Sequence, residues 1–289
     1  MRRLAKKFAA SVLALSLVFT MGTTCFAATW GSYFGASEGW NEGAAGKLVS
    51  EKADGFTAAL DTIGWGGIWG GQIFMDSTKP NTAKVSVKKG QTYTLSFTIK
   101  GTNIPKYVYV KVATGEILAY STWIKLEPNG TVNFTKTFKA ANNANSVYFG
   151  VGGDFGNRLN VATDGDADAR YKVFKSTFNK DATVELANDA NGDSGSATKI
   201  EVSKFTLIGQ PKIKSAKSKK KKQVTVKFSK VDGAKAYKVK VGKKKYTTKK
   251  TTFTAKKVKG KKVVVRVAAV AKSSGVTGTF SAKKKVKVK

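Results

Sequence analysis

The ten residues Gly64-Trp65-Gly66-Gly67-Ile68-Trp69-Gly70-Gly71-Gln72-Ile73 hold two of the chain's five tryptophans and five glycines. Glycine removes side chains and lets another surface approach the backbone. An indole offers a broad apolar face and one donor. With the Gln72 amide nearby, Trp65 and Trp69 suit a platform for a flat polar ligand such as a sugar ring. The same pattern also fits two indoles of a sandwich core beside a bulged strand. In either case Trp69 runs into the framework strand at Gln72 and Ile73, and Trp65 with its glycines reads as a loop at a cleft rim.

Candidates for catalysis are few. The chain has no histidine and one cysteine, Cys25, so nucleophiles paired with histidine are excluded, as is the commonest zinc ligand. Carboxylates remain, with Glu116, Glu127 and Asp154 the candidates for a glycosidase acid and base. Asp154 is better placed to accept hydrogen bonds from sugar hydroxyls. Asp164, Asp166 and Asp168, and again Asp189, Asn191 and Asp193, put oxygen ligands at every second position, a spacing that suits calcium. The glutamate that closes an EF-hand loop is missing from both, since Lys175 and Ile200 stand at its place. Both segments also read as polar surface loops. No cofactor is expected beyond a structural calcium.

The elements that must position these residues read as strands. Tyr93, Leu95, Phe97 and Ile99 alternate with polar residues, as do Val132, Phe134 and Phe138, and later Ile200 and Val202. Val108, Val110 and Val112 form a natural core set, which turns Tyr107 and Tyr109 to an exterior face. Val147 and Phe149 do the same to Tyr148. Trp123 shares a face with Ala119 and Ser121. Clustered exterior aromatics suggest a ligand face, although strand tyrosines also serve as simple cross-strand partners. A single helical turn is expected, around Lys47 to Ala53. Short strands punctuated by turns imply an all-β fold, a jelly-roll β-sandwich.

The ends of the chain differ from its middle. Arg2, Arg3, Lys6 and Lys7 precede an apolar run from Phe8 to Met21 and the small residues before Ala28, the pattern of a secretory signal peptide cut after Ala27. Of the formal net charge of +34, residues 211–289 carry +28, with 29 Lys and Arg against one acid, Asp232. This break divides the chain into a signal peptide (1–27), a jelly roll (28–209) and a basic unit (210–289). In the basic unit Val224, Val226 and Phe228 alternate, as do Tyr237, Val239 and Val241, and Val263, Val265 and Val267. Seven short strands suggest a small immunoglobulin-like sandwich. For an exported chain, so many lysines point to an anionic cell-wall polymer or membrane surface. Nucleic acid is not expected, because the few aromatics sit at core-type positions.

Two resemblances follow. Trp69, Gln72 and Ile73, followed by Gly90, Tyr93, Ser96 and Phe97, resemble the strands of a carbohydrate-binding module of the family 4/9 (CenC-like) jelly-roll type. That resemblance covers most of residues 30–209. It implies a noncatalytic module that binds β-glucan or xylan polysaccharide in a cleft along one sheet, with Trp65, Trp69, Gln72, Tyr107, Tyr109, Trp123, Tyr148 and Asp154 as carbohydrate-binding candidates. Ser203 stands where that family often has a calcium-binding aspartate. The segments 223–228, 231–239 and 260–269 resemble a bacterial fibronectin type III domain. Phe228 replaces that family's strand tryptophan, and Val263 or Val264 its tyrosine, so the tyrosine's hydrogen bond is expected to be lost. The reading is a secreted, monomeric, noncatalytic carbohydrate-binding protein held at the cell envelope by its basic unit. The alternatives are a small glycoside hydrolase, or an accessory subunit of one, and a protein-binding adhesin.

Overall fold

The computed structural model describes residues 29–41, 43–62, 64, 70–101, 106–152, 167–179 and 198–289. The strands β1 (Gly31–Phe34), β2 (Ala45–Lys52), β3 (Gly55–Thr62), β4 (Gly71–Asp76), β5 (Thr92–Lys100), β6 (Lys106–Thr114), β7 (Ile117–Leu126), β8 (Thr131–Lys139) and β9 (Ser146–Gly150) come first. Helix α1 (Ala167–Phe178) and strand β10 (Thr198–Gly209) follow. These strands form two five-stranded antiparallel sheets, ordered β1-β4-β9-β6-β7 and β2-β3-β10-β5-β8. Apart from the hairpins β2-β3 and β6-β7, the chain crosses from one sheet to the other between successive strands, so the two layers form a jelly-roll β-sandwich.

The two-residue period of a strand builds the core. Leu95, Phe97 and Ile99 of β5 face Val108, Val110 and Val112 of β6, and all are essentially inaccessible. Trp30, just before β1, is packed edge-on against Phe56 of β3 (4.9 Å between centroids), Phe149 of β9 (6.0 Å) and Phe205 of β10 (5.0 Å). Its indole N–H is satisfied by the Lys52 carbonyl at 3.0 Å. One buried ring therefore joins strands of both sheets.

Residues Lys47 to Ala53, expected as a helical turn, are mostly strand β2. This edge strand pairs with β3 through two register breaks and is largely exposed, so it lacks the alternation by which a strand is read.

The basic unit comprises β11 (Ile213–Lys217), β12 (Val224–Phe228), β13 (Ala234–Val241), β14 (Lys244–Thr248), β15 (Thr252–Ala255), β16 (Lys262–Ala271) and β17 (Lys284–Lys287). They form a β11-β12-β15 sheet packed on a β14-β13-β16-β17 sheet, an immunoglobulin-like sandwich. Its core is Val224, Val226, Phe228, Val239, Val265 and Val267. The Val231 amide donates to the buried Tyr237 hydroxyl at 2.9 Å, and the Tyr237 ring stands edge-on to Phe228 at 4.8 Å.

The units meet on the outer face of the β2-β3-β10-β5-β8 sheet. That face carries a hydroxyl and amide ladder, with Ser96 bonded to Thr135 (2.8 Å) and Thr98 to Asn133 (2.7 Å). The Thr279 amide donates to the Thr94 hydroxyl at 2.9 Å, Gln210 donates to the Phe280 carbonyl at 2.8 Å, and Ile208 of β10 belongs to the second core. Replacing Trp30 by alanine is expected to destabilise the jelly roll by about 3–5 kcal/mol, read as a fall in its urea midpoint. A loss under about 1 kcal/mol would remove the indole from its role as the inter-sheet joint.

Candidate functional site

The candidate site is the outer face of the β1-β4-β9-β6-β7 sheet, set by pairing register. Residues directly opposite one another share a face, so each cross-strand set is a row. One row reads Tyr33, Gln72, Gly150, Tyr109 and Trp123 across β1, β4, β9, β6 and β7. The next reads Gly31, Phe74, Tyr148, Lys111 and Ser121. Tyr107 continues the face, opposite Lys125. Of the residues expected to bind carbohydrate, Gln72, Tyr107, Tyr109, Trp123 and Tyr148 are thus brought together. Trp65, Trp69 and Asp154 lie outside the described residues.

Half of this face is covered. Tyr107, Tyr109 and Trp123, expected at an exterior surface, are at most 2 % exposed. Helix α1 lies over them, with Phe174 and the partly buried Tyr171, Val173 and Phe178 completing an aromatic cluster. The Trp123 indole N–H donates to the Arg170 carbonyl of the helix at 3.1 Å. Alternation turned Tyr107 and Tyr109 away from the sandwich core and left the face of Trp123 undecided, but it could not show what would settle on them. The helix has its own signal in the spacing of Tyr171, Phe174 and Phe178, which share one side of three turns. Arg170 is buried, and its Nε and Nη2 groups have no hydrogen-bond partner among the described residues, so the cover also sequesters a polar group at a free-energy cost.

The other half, on β1, β4 and β9, is partly open: its rings reach solvent, while Gln72 and Asp76 on the same face are buried. Tyr33 is 36 % exposed. Phe74 and Tyr148 are half-buried, with their rings 5.6 Å apart. Sequence reasoning passed over Tyr33 and Phe74. Phe74 had a signal, since it follows Gln72 by one strand period. A Cβ placed on Gly31 would collide with the Phe74 ring, so the ring rests over bare backbone.

Tyr148 is fixed by chemistry on both sides. Its hydroxyl donates to Asp76 Oδ2 at 2.5 Å, and Lys111 Nζ sits 5.1 Å from its ring centroid. Asp76 also accepts from the Thr78 amide (2.9 Å) and hydroxyl (2.8 Å). Burial pushes the Asp76 carboxyl up, but the bonds from Tyr148 and Thr78 outweigh it and hold the group below the ordinary 3.8. Burial, followed by the bond to Asp76, keeps the Tyr148 hydroxyl protonated well beyond the usual tyrosine range. Buried Lys111 pairs with Glu116 at 2.9 Å.

Two of the three carboxylate candidates cannot act as a pair: Glu116 and Glu127 flank opposite ends of β7, roughly 35 Å apart, whereas glycosidase carboxylates work within about 10 Å. Each is in an ion pair, Glu116 with Lys111 and Glu127 with Lys125 at 3.2 Å. Among the calcium candidates, Asp168 falls in α1, while Asp164, Asp166, Asp189, Asn191 and Asp193 lie outside the described residues. Among the described residues no group of three or more metal-ligating side chains occurs.

No protein-family model and no curated protein matches the chain. Solved structures similar to it include a family 4 carbohydrate-binding module at 15% identity, covering 66% of this chain and 93% of that one, with a TM-score of 0.40. The N-terminal cellulose-binding domain of Cellulomonas fimi β-1,4-glucanase C is similar at 15% identity over 65% of this chain and 94% of that one, with a TM-score of 0.35. An FN3 domain, FN3tt, is similar at 12% identity over 28% of this chain and 98% of that one, with a TM-score of 0.23. Likeness this distant says nothing of what either unit binds.

Two outcomes are expected at this face. Gly31→Ala forces the Phe74 ring aside and lowers stability by about 1–3 kcal/mol, measured by urea unfolding; an unchanged midpoint would mean that the ring does not lie on Gly31. Asp76→Asn is destabilising at neutral pH. Because the folded carboxyl is depressed, its contribution is present above 3.8 and disappears as pH falls through the folded value. The gap between wild type and variant therefore closes in acid, and a gap that persisted there would contradict the assignment.

Proposed function

We propose that this chain is a secreted, noncatalytic carbohydrate-binding protein. Its ligand would be a β-glycan of the glucan or xylan type, laid on the open strip of the β1-β4-β9-β6-β7 sheet. The observation that carries the reading is the strip itself, where Tyr33, Phe74 and Tyr148 lie on three adjacent strands, with the buried Gln72 and Asp76 on the same face. Aromatic faces suit the apolar faces of pyranose rings, and a few placed polar groups fix orientation. Phe74 over Gly31 and Tyr148 held by Asp76 are set before any ligand arrives, which reduces the ordering cost of binding. Export is supported by the charged start, apolar run and small residues of segment 1–27. Retention at an anionic cell envelope is supported by the +28 of residues 211–289.

Affinity electrophoresis in gels containing soluble β-glucan or xylan tests the reading. The wild-type protein is expected to be retarded by at least one of the glycans. Tyr33→Ala and Phe74→Ala are each expected to weaken retardation about tenfold, near 1.4 kcal/mol. Thr135→Ala, on the opposite sheet, is expected to leave it unchanged. Unaltered mobility of the wild type on every glycan would refute carbohydrate binding, and release of reducing ends would favour hydrolysis.

A further inference from the structure

The two sheets of the basic unit present unlike faces to solvent. On the outer face of β11-β12-β15, Thr225 bonds to Thr254 (3.0 Å), Thr252 lies opposite Lys227, and Lys217 lies opposite Thr225. Hydroxyls dominate there. On the outer face of β14-β13-β16-β17, inward-facing Val239, Val241, Val265 and Val267 leave Lys238, Lys240, Lys262 and Arg266 pointing outward. Pairing then sets like charges directly against each other. Lys245, Lys240 and Arg266 form a row across three strands, and Lys262 lies opposite Lys287. Lys285 extends the same face, opposite Val264.

Like charges opposed on neighbouring strands destabilise a sheet, and no acidic residue of the unit lies on these strands. Local contacts offset part of this. The Arg266 Nε donates to the Ser281 carbonyl at 3.1 Å, and Lys240 Nζ sits 4.2 Å from the Phe280 ring centroid, with Arg266 at 5.5 Å from the same ring. A groove of about 610 Å³ at one end of the sandwich is lined by the inward-facing Val241, Tyr246, Val258 and Val263 together with Lys243, Lys244, Lys259 and Lys262.

We infer that the β14-β13-β16-β17 face is the binding surface for a linear polymer carrying phosphate charges and no bases. The inference rests on the proposed retention at an anionic envelope and names its surface and ligand class. Cations on adjacent strands recur about every 4.8 Å, so an extended polyanion crossing the strands meets one at each step. The cations are nearly all lysines, whose compact ammonium pairs with single charges without requiring a planar bidentate partner. Phe280, the ring on this face, is already overlain by Lys240 and Arg266, which leaves no stacking platform for nucleobases. Among the described residues the exposed large hydrophobic ones are Tyr33, Val49 and Ile117, all in the jelly roll, so the face presents nothing for insertion into a bilayer.

The test compares two variants of equal charge. In one, Lys238, Lys240, Lys245 and Lys285 of the face become glutamine. In the other, Lys227, Lys249, Lys250 and Lys256, all exposed elsewhere on the unit, become glutamine. Binding of the whole protein to labelled long-chain polyphosphate is measured over a range of salt. The face variant is expected to lose about tenfold or more in affinity and to show a shallower salt dependence, while the control loses less than about threefold. Equal losses would overturn the face and leave envelope retention standing. Wild-type protein that binds neither polyphosphate nor phosphatidylglycerol vesicles would overturn both. Tighter binding to single-stranded DNA or to the vesicles than to polyphosphate would overturn the polymer assignment.

Discussion

The structure depends on one constraint, the two-residue period of strands whose other face is buried. Once Val108, Val110 and Val112 enter the core of the jelly roll, Tyr107, Tyr109 and Lys111 have nowhere to go but the outer face. The same holds for Phe149 and Tyr148 on β9, and for Ile73 and its neighbours Gln72 and Phe74 on β4. A slip of one residue would exchange the aromatic face for the valines. Trp30 and the rings around it lock the sheets that impose this choice.

That constraint explains what could be read from the sequence. The alternating runs gave the strands β5, β6 and β9, the inward valines and the outward tyrosines, because half-buried strands write their geometry directly into side-chain type. It could not say how far the outward side chains stay open. Helix α1 covers Tyr107, Tyr109 and Trp123 from a segment distant in sequence, and no strand pattern reports such a tertiary contact. Strand β2 was misread for a related reason, since an exposed edge strand with register breaks carries no periodic signal. Tyr33 and Phe74 are not legible as a pair because the glycine that makes room for the Phe74 ring is Gly31, far from it in sequence and across the strand pair.

The same period organises the basic unit, with a different outcome. There the inward positions are valines and the outward positions of one sheet are cations, so packing and charge are separated by strand parity alone. The two outer faces proposed for binding lie on different sheets of different units. The outer face of the β2-β3-β10-β5-β8 sheet is occupied at Thr94 by the junction with Thr279 and Gln210. A protein built this way carries a neutral aromatic strip and a cationic face that need not compete for one ligand.

The most direct test of the proposed glycan strip is a backbone amide NMR titration with soluble β-glucan and xylan oligosaccharides. The account predicts shifts centred on Tyr33, Phe74 and Tyr148, spreading along β1, β4 and β9. Shifts confined to the β2-β3-β10-β5-β8 sheet or to the basic unit, or none at saturating oligosaccharide, would contradict it.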